Sequence, residues 1–256
     1  MTISIPASTA YDAAQFNDNF PPGVEGHYWF QARNAILDRT LRAAARRAWI
    51  PDPATILEIG CGTGIVVAGL AARGHDIAGV ELGQPPRSMA PGRIRTGIRA
   101  QDLEPEIRSR MNVLMLCDVI EHVPDDVSLL VETLAAFPNC RAVLITVPAR
   151  PELWSDHDRY YGHYRRYTRR SLARTLAAAG LEPVGVRYMF RSLYAAAGLI
   201  RLAGQQRNPV MKRPISDALH RAAALVLDAE DRGLSRLPLP GLSVLGIGLR
   251  RPGLNT

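Results

Sequence analysis

Short apolar runs alternate with amphipathic stretches through most of the sequence. Strands are predicted at 55–59, 76–81, 113–117, 142–147, 183–190 and 243–249, and helices at 31–49, 63–73, 126–136 and 169–179. Pro and Gly breakers predict irregular structure at 1–30 and 83–96. An alternation of short strands with helices indicates βαβ units, and therefore an α/β fold around a parallel sheet.

Four stretches of the chain are predicted to differ in role. They are an N-terminal lid helix region at 1–50, a core at 51–190, a helical insert at 191–237 and a closing strand with a tail at 238–256. The insert is predicted as two helices, and Ser216 is the expected N-cap of the second. In that helix one apolar stripe is formed by Leu219, Ala222, Ala223, Val226 and Leu227. The insert's apolar residues, set beside arginines, allow two interpretations: ordinary packing as a substrate lid, or contact with a membrane surface.

A glycine-rich run, E-I-G-C-G-T-G at 58–64, joins a predicted strand to a predicted helix. Glycine is needed where the backbone turns sharply and approaches a ligand closely. Doubly wound sheets bind ligands at the carboxyl ends of their parallel strands. The spacing does not match the dinucleotide pattern G-x-G-x-x-G, and no G-K-S/T follows as in a phosphate-binding loop. Glu58 disfavours a bound phosphate and favours a positively charged ligand, such as an amino acid ammonium.

Two further acids are spaced to complete a nucleoside site. Glu81 ends the second predicted strand, where a carboxylate can accept both hydroxyls of a ribose. Asp102 is expected at the end of the third strand. With the apolar Leu103 beside it, Asp102 suits an adenine amino group and ring face.

Together these residues resemble the class I S-adenosylmethionine-dependent methyltransferases, of the bacterial type that acts on small molecules, glycolipids and natural products. The resemblance implies a Rossmann-like, doubly wound sheet of seven strands with helical lid insertions. It also implies S-adenosyl-L-methionine as cofactor, contacted by Glu58, Gly60, Cys61, Gly62, Gly64, Glu81, Leu82, Asp102, Leu103 and Cys117. Residues 115–123 are similar to the fourth-strand motif of ubiquinone-pathway O-methyltransferases.

Asp118, Glu121 and His122 follow the predicted strand at 113–117, and three interpretations of them stay open. His122 can be a general base near the transferred methyl. Alternatively the three side chains chelate a divalent cation, an arrangement that ubiquinone-pathway O-methyltransferases use, although Asp118 stands where those enzymes commonly have Glu. In the third interpretation Glu121 and His122 shape the pocket wall and cap the next helix. We take His122 as the first catalytic candidate and assign no metal.

The polar and aromatic segment 154–167 follows the predicted strand at 142–147, at the edge of the sheet where functional loops lie. Its G-H-x-R-R-Y stretch resembles bacterial methyltransferases that act in sugar, glycolipid and secondary metabolism, as does H-Y-W-F-x-x-R at 27–33. The resemblance implies substrate contacts by Tyr28, Trp29, His163 and Arg166, with His157 as a second base candidate. A structural loop with solvated arginines is the alternative.

The net charge and the cysteine content bear on which partners and which cellular compartment the sequence predicts. The net charge is +7, and of the 31 basic residues only Lys212 is a lysine, which is typical of codon bias rather than of a phosphate-binding patch. Three cysteines without pair spacing, and an N-terminus without a signal sequence, predict a cytoplasmic protein. We expect methyl transfer to an oxygen of a small molecule such as a sugar, glycolipid or natural-product intermediate. An RNA or protein methyltransferase and a non-catalytic cofactor-binding subunit are the alternatives.

Overall fold

A seven-stranded sheet forms the centre of the computed structural model, which describes residues 11–202, 216–235 and 237–251. The strands are β1 (Thr55–Ile59), β2 (Asp76–Glu81), β3 (Ile94–Thr96), β4 (Val113–Cys117), β5 (Ala142–Pro148), β6 (Leu181–Met189) and β7 (Ser243–Arg250). Their order is β3-β2-β1-β4-β5-β7-β6. Strand β7 is antiparallel to β5 and β6, and the other pairs are parallel. The predicted α/β class and its seven strands are confirmed.

Helices cover both faces of this sheet. They are α1 (Ala13–Asn19), α2 (Tyr28–Arg46), α3 (Ile65–Ala71), α4 (Pro105–Arg110), α5 (Asp126–Ala136), α6 (Asp156–Tyr160), α7 (Arg169–Ala178), α8 (Arg191–Leu202) and α9 (Asp217–Leu234). Within the described ranges no helix is both long enough and apolar enough to cross a membrane. Parts of the predicted stretches 1–50, 191–237 and 238–256 lie outside the described residues.

Strand β4 shows how the sheet acquires two apolar faces. Leu114 and Leu116 pack into the cluster that contains α5 and α7, whereas Met115 and Cys117 pack into the cluster that contains α2, α3 and α9. Side chains alternate across a strand, so an uninterrupted apolar run is buried on both sides only when helices cover both faces. The doubly wound arrangement therefore follows from the five consecutive buried residues of β4.

Helix α9 of the insert packs on α2 through a face that the sequence analysis placed wrongly. Of the predicted stripe only Leu227 is fully buried, while Leu219 and Val226 are 70% and 64% exposed. The buried face also carries Asp228 and Asp231. Arginines from α2, β6 and α9 itself neutralise these two acids, namely Arg39, Arg187 and Arg232. Apolar periodicity missed this face because its charges are paired across elements that are distant in the sequence.

Two other local predictions were wrong. The third strand is the short β3, which falls inside the predicted loop at 83–96, and Asp102 lies instead in a 3₁₀ turn at Ala100–Asp102. The region 1–30 is not irregular throughout, since it contains α1 and the start of α2. The sequence D-A-A-Q at 12–15 forms a capping box that starts α1, a signal that the sequence analysis overlooked.

Candidate active site

The glycine loop follows β1 and turns directly into α3. Gly60, Gly62 and Gly64 all have positive φ, at +72°, +54° and +84°. A Cβ at Gly60 would lie 2.6 Å from a methyl of Val119, and one at Gly62 would lie 3.0 Å from the Phe20 ring. Both the backbone conformation and the space therefore require glycine at these two positions. Backbone N–H groups of Gly60 and Cys61 donate to the Val80 carbonyl, which ties the loop to β2.

Glu81, the last residue of β2, is held by the backbone on both sides. One carboxylate oxygen accepts a hydrogen bond from the N–H of Gly62 and the other from the N–H of Gly83, each at 2.8 Å. The side chain is buried but lines the cavity described below. Each carboxylate oxygen retains a lone pair beyond its backbone bond. The geometry thus presents a fixed carboxylate with two accepting oxygens.

Glu58, in β1, is a buried carboxyl whose charge is incompletely compensated. Its Oε2 has no hydrogen-bond partner. Burial raises the pKa of Glu58 to about 8, although the nearby Arg33 guanidinium lowers it in part. The Arg33 guanidinium itself pairs with Asp118 at 2.6 Å. A cationic ligand group beside Glu58 would stabilise its ionised form.

One cavity of about 730 Å³ extends from the glycine loop to the end of β4 and the segment 154–167. Seven of the ten predicted cofactor residues line it: Glu58, Gly60, Cys61, Gly62, Glu81, Leu82 and Cys117. Five of the six predicted substrate or catalytic residues also line it: Trp29, His122, His157, His163 and Arg166. Twelve of the sixteen predicted site residues therefore line one chamber.

Four predicted site residues lie outside the lining of this cavity. Gly64 faces Ala90 and Ile94 and caps α3, Leu103 is buried in the core, and Asp102 is exposed. Gln101, the neighbour of Asp102, lines the cavity instead. Tyr28 stacks on His220 of α9, away from the cavity. The 3₁₀ turn at Ala100–Asp102 sets the direction of Asp102, and the first turn of α2 sets that of Tyr28. Neither turn was predicted.

The side chains of Glu121, His122 and His163 meet in the wall of the cavity. One ligand atom from each lies within 4.8 Å of the others. Burial, and then the charge of Asp118, raise the pKa of Glu121 well above its usual value. Burial, and then His163, lower the pKa of His122 to about 3. These three residues could hold a metal ion. The alternative set with Asp118 differs from them, and Asp118 is paired with Arg33.

Asp158 organises the segment that carries His163. It is fully buried and accepts hydrogen bonds from Ser155, His163 Nδ1 and Arg166 Nε, the last two at 2.8 Å. Although burial raises the pKa of Asp158, the bonds from His163 and Arg166 lower it overall. Arg166 is thus a support for the segment as well as a cavity residue. The sequence analysis missed Asp158, which an acid five residues before His163 could have suggested.

Residues 11–20, which include α1, cover the cavity, and none of them was predicted as a site residue. Phe20 lies over Gly62 and Phe16 lies against Gly83. Tyr11 and Asn19 also line the cavity. Tyr160 of α6 holds this cover through hydrogen bonds with Asp18 and Gln15. The N-terminal cover and α6 are therefore joined by hydrogen bonds beside the cavity.

Comparison with known proteins agrees with this geometry. Residues 28–186, more than half of the chain, match the family described as "Methyltransferase domain". The ubiquinone biosynthesis O-methyltransferase of Pseudomonas syringae pv. tomato is 30% identical over 95 residues, which are 32% of this chain and 41% of the relative. That of Pseudomonas putida is 28% identical over 117 residues, covering 41% of this chain and 50% of the relative. The chain thus matches half or less of the length of these curated relatives.

Solved structures share the fold at low sequence identity. A chain from the complex of the Haloferax volcanii Trm112 methyltransferase activator with a methyltransferase superposes with a TM-score of 0.52 at 14% identity, covering 92% of this chain and 94% of that one. A Burkholderia thailandensis protein bound to S-adenosylhomocysteine superposes with a TM-score of 0.50 at 16% identity, covering 86% and 76%. The fold, the glycine loop and the family match together show that the protein belongs to the methyltransferase domain family, within the class I S-adenosylmethionine-dependent methyltransferases.

Proposed function

We propose that the enzyme methylates a hydroxyl oxygen of a small-molecule acceptor. The observation that carries this proposal is the single cavity that joins the glycine loop to Glu121, His122 and His163. A hydroxyl must lose its proton as the methyl arrives, and this end of the cavity is rich in oxygen and nitrogen acceptors. The volume of about 730 Å³ lies within the range of roughly 300–1,000 Å³ that is typical of small-molecule sites. The partial similarity to ubiquinone biosynthesis O-methyltransferases supports an oxygen acceptor.

In this proposal the cofactor lies along the carboxyl ends of β1, β2 and β4. Glu58 pairs with the ammonium group of the cofactor, and Glu81 accepts the two ribose hydroxyls. The backbone of Gly60 and Gly62 permits close approach, and Gln101 takes the place at the adenine that the sequence analysis gave to Asp102. This placement is supported by the two accepting oxygens of Glu81 and the orphan oxygen of Glu58.

The acceptor occupies the other half of the cavity. Trp29, packed on Phe190, provides an apolar wall, and His163 and Arg166 provide polar groups. His122 and His157 remain the residues that we propose to act nearest the hydroxyl. Catalysis rests mainly on holding the acceptor oxygen and the methyl in near-attack geometry. A divalent cation at Glu121, His122 and His163 would supply Lewis-acid activation of the hydroxyl when bound.

A product analysis tests the proposal. The protein is incubated with S-adenosylmethionine and a panel of phenols, sugars, amines and RNA, and release of S-adenosylhomocysteine is measured. We expect turnover with hydroxylated small molecules, and an O-methyl product by nuclear magnetic resonance. Turnover confined to amines or to RNA would contradict it.

The cofactor half is tested separately by the Gly62→Arg variant. The new side chain enters the cavity beneath Phe20 at a residue with φ of +54°, so S-adenosylhomocysteine binding should become undetectable by calorimetry. Gly233→Arg, on the exposed side of α9 with open space around it, adds the same charge and should bind like wild type. Wild-type affinity in the Gly62→Arg variant would show that the loop does not hold the cofactor.

A further inference from the structure

Glu121 is a carboxylate without a partner in the interior of the protein. The residue is 0% exposed, and neither Oε1 nor Oε2 has a hydrogen-bond partner. Its backbone carbonyl is fixed by the N–H of Tyr164, which holds the segment carrying His163 against it. A buried charge without a counter-charge is costly, and proteins pair such groups or use them to coordinate metals. A cation in the cavity would therefore give both oxygens of Glu121 a partner and stabilise its ionised form.

Two imidazoles beside Glu121 have Nδ1 engaged with an oxygen, which leaves Nε2 as the nitrogen available to a ligand. His122 Nδ1 lies 2.9 Å from the Tyr161 carbonyl, which can only accept, so the proton of His122 is on Nδ1. His163 Nδ1 lies 2.8 Å from the Asp158 carboxylate, with the same consequence. Histidine ligands of metals are oriented in this way, by a second hydrogen bond to a carbonyl or a carboxylate. The Tyr11 hydroxyl, 3.5 Å from His122 Nε2, makes only a long contact with that nitrogen.

We propose that Glu121, His122 and His163 bind one divalent transition-metal ion of the zinc type, with His163 rather than Asp118 as the third ligand. Imidazole and carboxylate together suit Zn²⁺ and its neighbours better than Mg²⁺ or Ca²⁺. Three protein ligands leave a coordination position open towards the cavity, as in catalytic zinc sites. Asp118 is excluded because it is paired with Arg33 at 2.6 Å.

Binding of the ion does not depend on the acceptor, but its role in acidifying an acceptor hydroxyl rests on the proposed function. In this assignment the hydrogen bonds within segment 154–167 orient the metal ligands. Asp158 and the Tyr161 carbonyl orient one ligand each, and Arg166 fixes Asp158. Asp158 is thus a positioning residue for His163.

A second pair of neighbouring histidines, His27 and His220, has a different tautomer. Nδ1 of His27 accepts from the backbone N–H of Trp29, and Nδ1 of His220 accepts from that of Tyr28. Each proton is therefore on Nε2, and neither ring nitrogen is left as a metal ligand. This pair provides a matched control for metal binding that depends on histidine alone.

Cobalt titration of the chelator-treated full-length protein tests the proposal. Co²⁺ reports its ligands through visible absorption, and Zn²⁺ competition follows the same site. We expect one Co²⁺ per wild-type chain, displaced by Zn²⁺. His163→Ala should weaken Co²⁺ binding by about tenfold or more, whereas Asp118→Asn and His220→Ala should leave it within about twofold. S-adenosylhomocysteine affinity verifies that each variant is folded.

His163→Cys keeps the assignment testable if His163→Ala does not fold. A thiolate ligand adds an intense charge-transfer band to the cobalt spectrum, which a merely structural residue would not produce. The proposal is overturned if wild type binds no Co²⁺ at about 1 mM, if His163→Ala binds it as tightly as wild type, or if only Asp118→Asn loses it. A wild-type protein that binds no Co²⁺ but still O-methylates an acceptor refutes this site alone. A wild-type protein that binds Co²⁺ but O-methylates no acceptor refutes the proposed function alone.

Discussion

Glu81 and Glu58, two buried acids on neighbouring strands, differ in their hydrogen bonding. Glu81 has both oxygens bonded to backbone N–H groups, so its side chain is fixed before any ligand arrives. Glu58 has an orphan oxygen and a pKa of about 8, so near neutral pH it is mostly protonated. The first arrangement suits neutral hydroxyls and the second suits a cation. Charge and burial thus distinguish two acids that look equivalent in the sequence.

Glu58 predicts a proton-linked binding of the cofactor product. An ammonium group beside Glu58 favours its ionised form, so its pKa falls on binding and a proton is released. Below the free-state pKa of about 8, affinity for S-adenosylhomocysteine should rise with pH, by up to about tenfold between pH 6 and pH 7. Calorimetry in buffers of different ionisation enthalpy should detect about one proton released at pH 7.

The matched control is Glu58→Gln, which keeps the shape and removes the titration. This variant should bind more weakly, with a flatter pH dependence and with less proton release. A wild-type affinity that stays constant from pH 6 to pH 7 would show that Glu58 does not face the ammonium.

At the same scale, regular structure sets the direction of some of the predicted residues that line the cavity. Glu58 and Glu81 occupy strand positions, so their spacing alone placed them at the cavity. Asp102 does not line the cavity, because a 3₁₀ turn directs Gln101 inwards instead. His163 was predicted to contact substrate, but its hydrogen bond to Asp158 depends on how segment 154–167 folds, which no periodicity encodes.

At the scale of elements, the strands that were predicted well are those with long buried runs. Strands β1, β2 and β4 have the predicted bounds, and each contains at least three consecutive buried residues. Strand β3 has only three residues, two of them exposed, and so leaves almost no apolar signal. Helix α9 was located, but its buried face was not, since two acids of that face are paired with arginines.

The attachment of α9 to the core gives a prediction about stability. Asp231 is 1% exposed and bridges Arg39 of α2 and Arg187 of β6. Asp231→Asn removes the charge that both guanidinium groups share, and should lower the free energy of unfolding by about 2–3 kcal/mol, since both arginines remain partly solvated. Urea denaturation measures this as a lower midpoint with an unchanged slope.

Asp156→Asn is the comparison variant, because Asp156 forms an exposed pair with Arg159 and should cost less than about 1 kcal/mol. Equal losses in the two variants would mean that the buried network does not anchor α9.

At the scale of the whole molecule, the N-terminus and the segment 154–167 close the cavity together. Asp18 and Gln15 of α1 bond to Tyr160 of α6, although they are more than 140 residues away in the chain. Helix α1 has only seven residues, so tertiary contacts rather than helix propensity hold it. The cover over the cofactor half and the wall of the acceptor half are therefore mechanically connected.

This connection predicts that the α1 cover controls cofactor release. Phe20 is half-buried, lies over Gly62 and contacts the rings of Phe16 and Phe30, so Phe20→Ala removes the cover over this glycine. Losing the contact area of one aromatic ring should weaken S-adenosylhomocysteine binding by about tenfold, mainly through faster dissociation in stopped-flow measurements. Phe20→Leu retains an apolar cover and should lie closer to wild type. If Phe20→Ala releases the product at the wild-type rate, the cover opens by another route, and α1 is a fixed wall of the site rather than its gate.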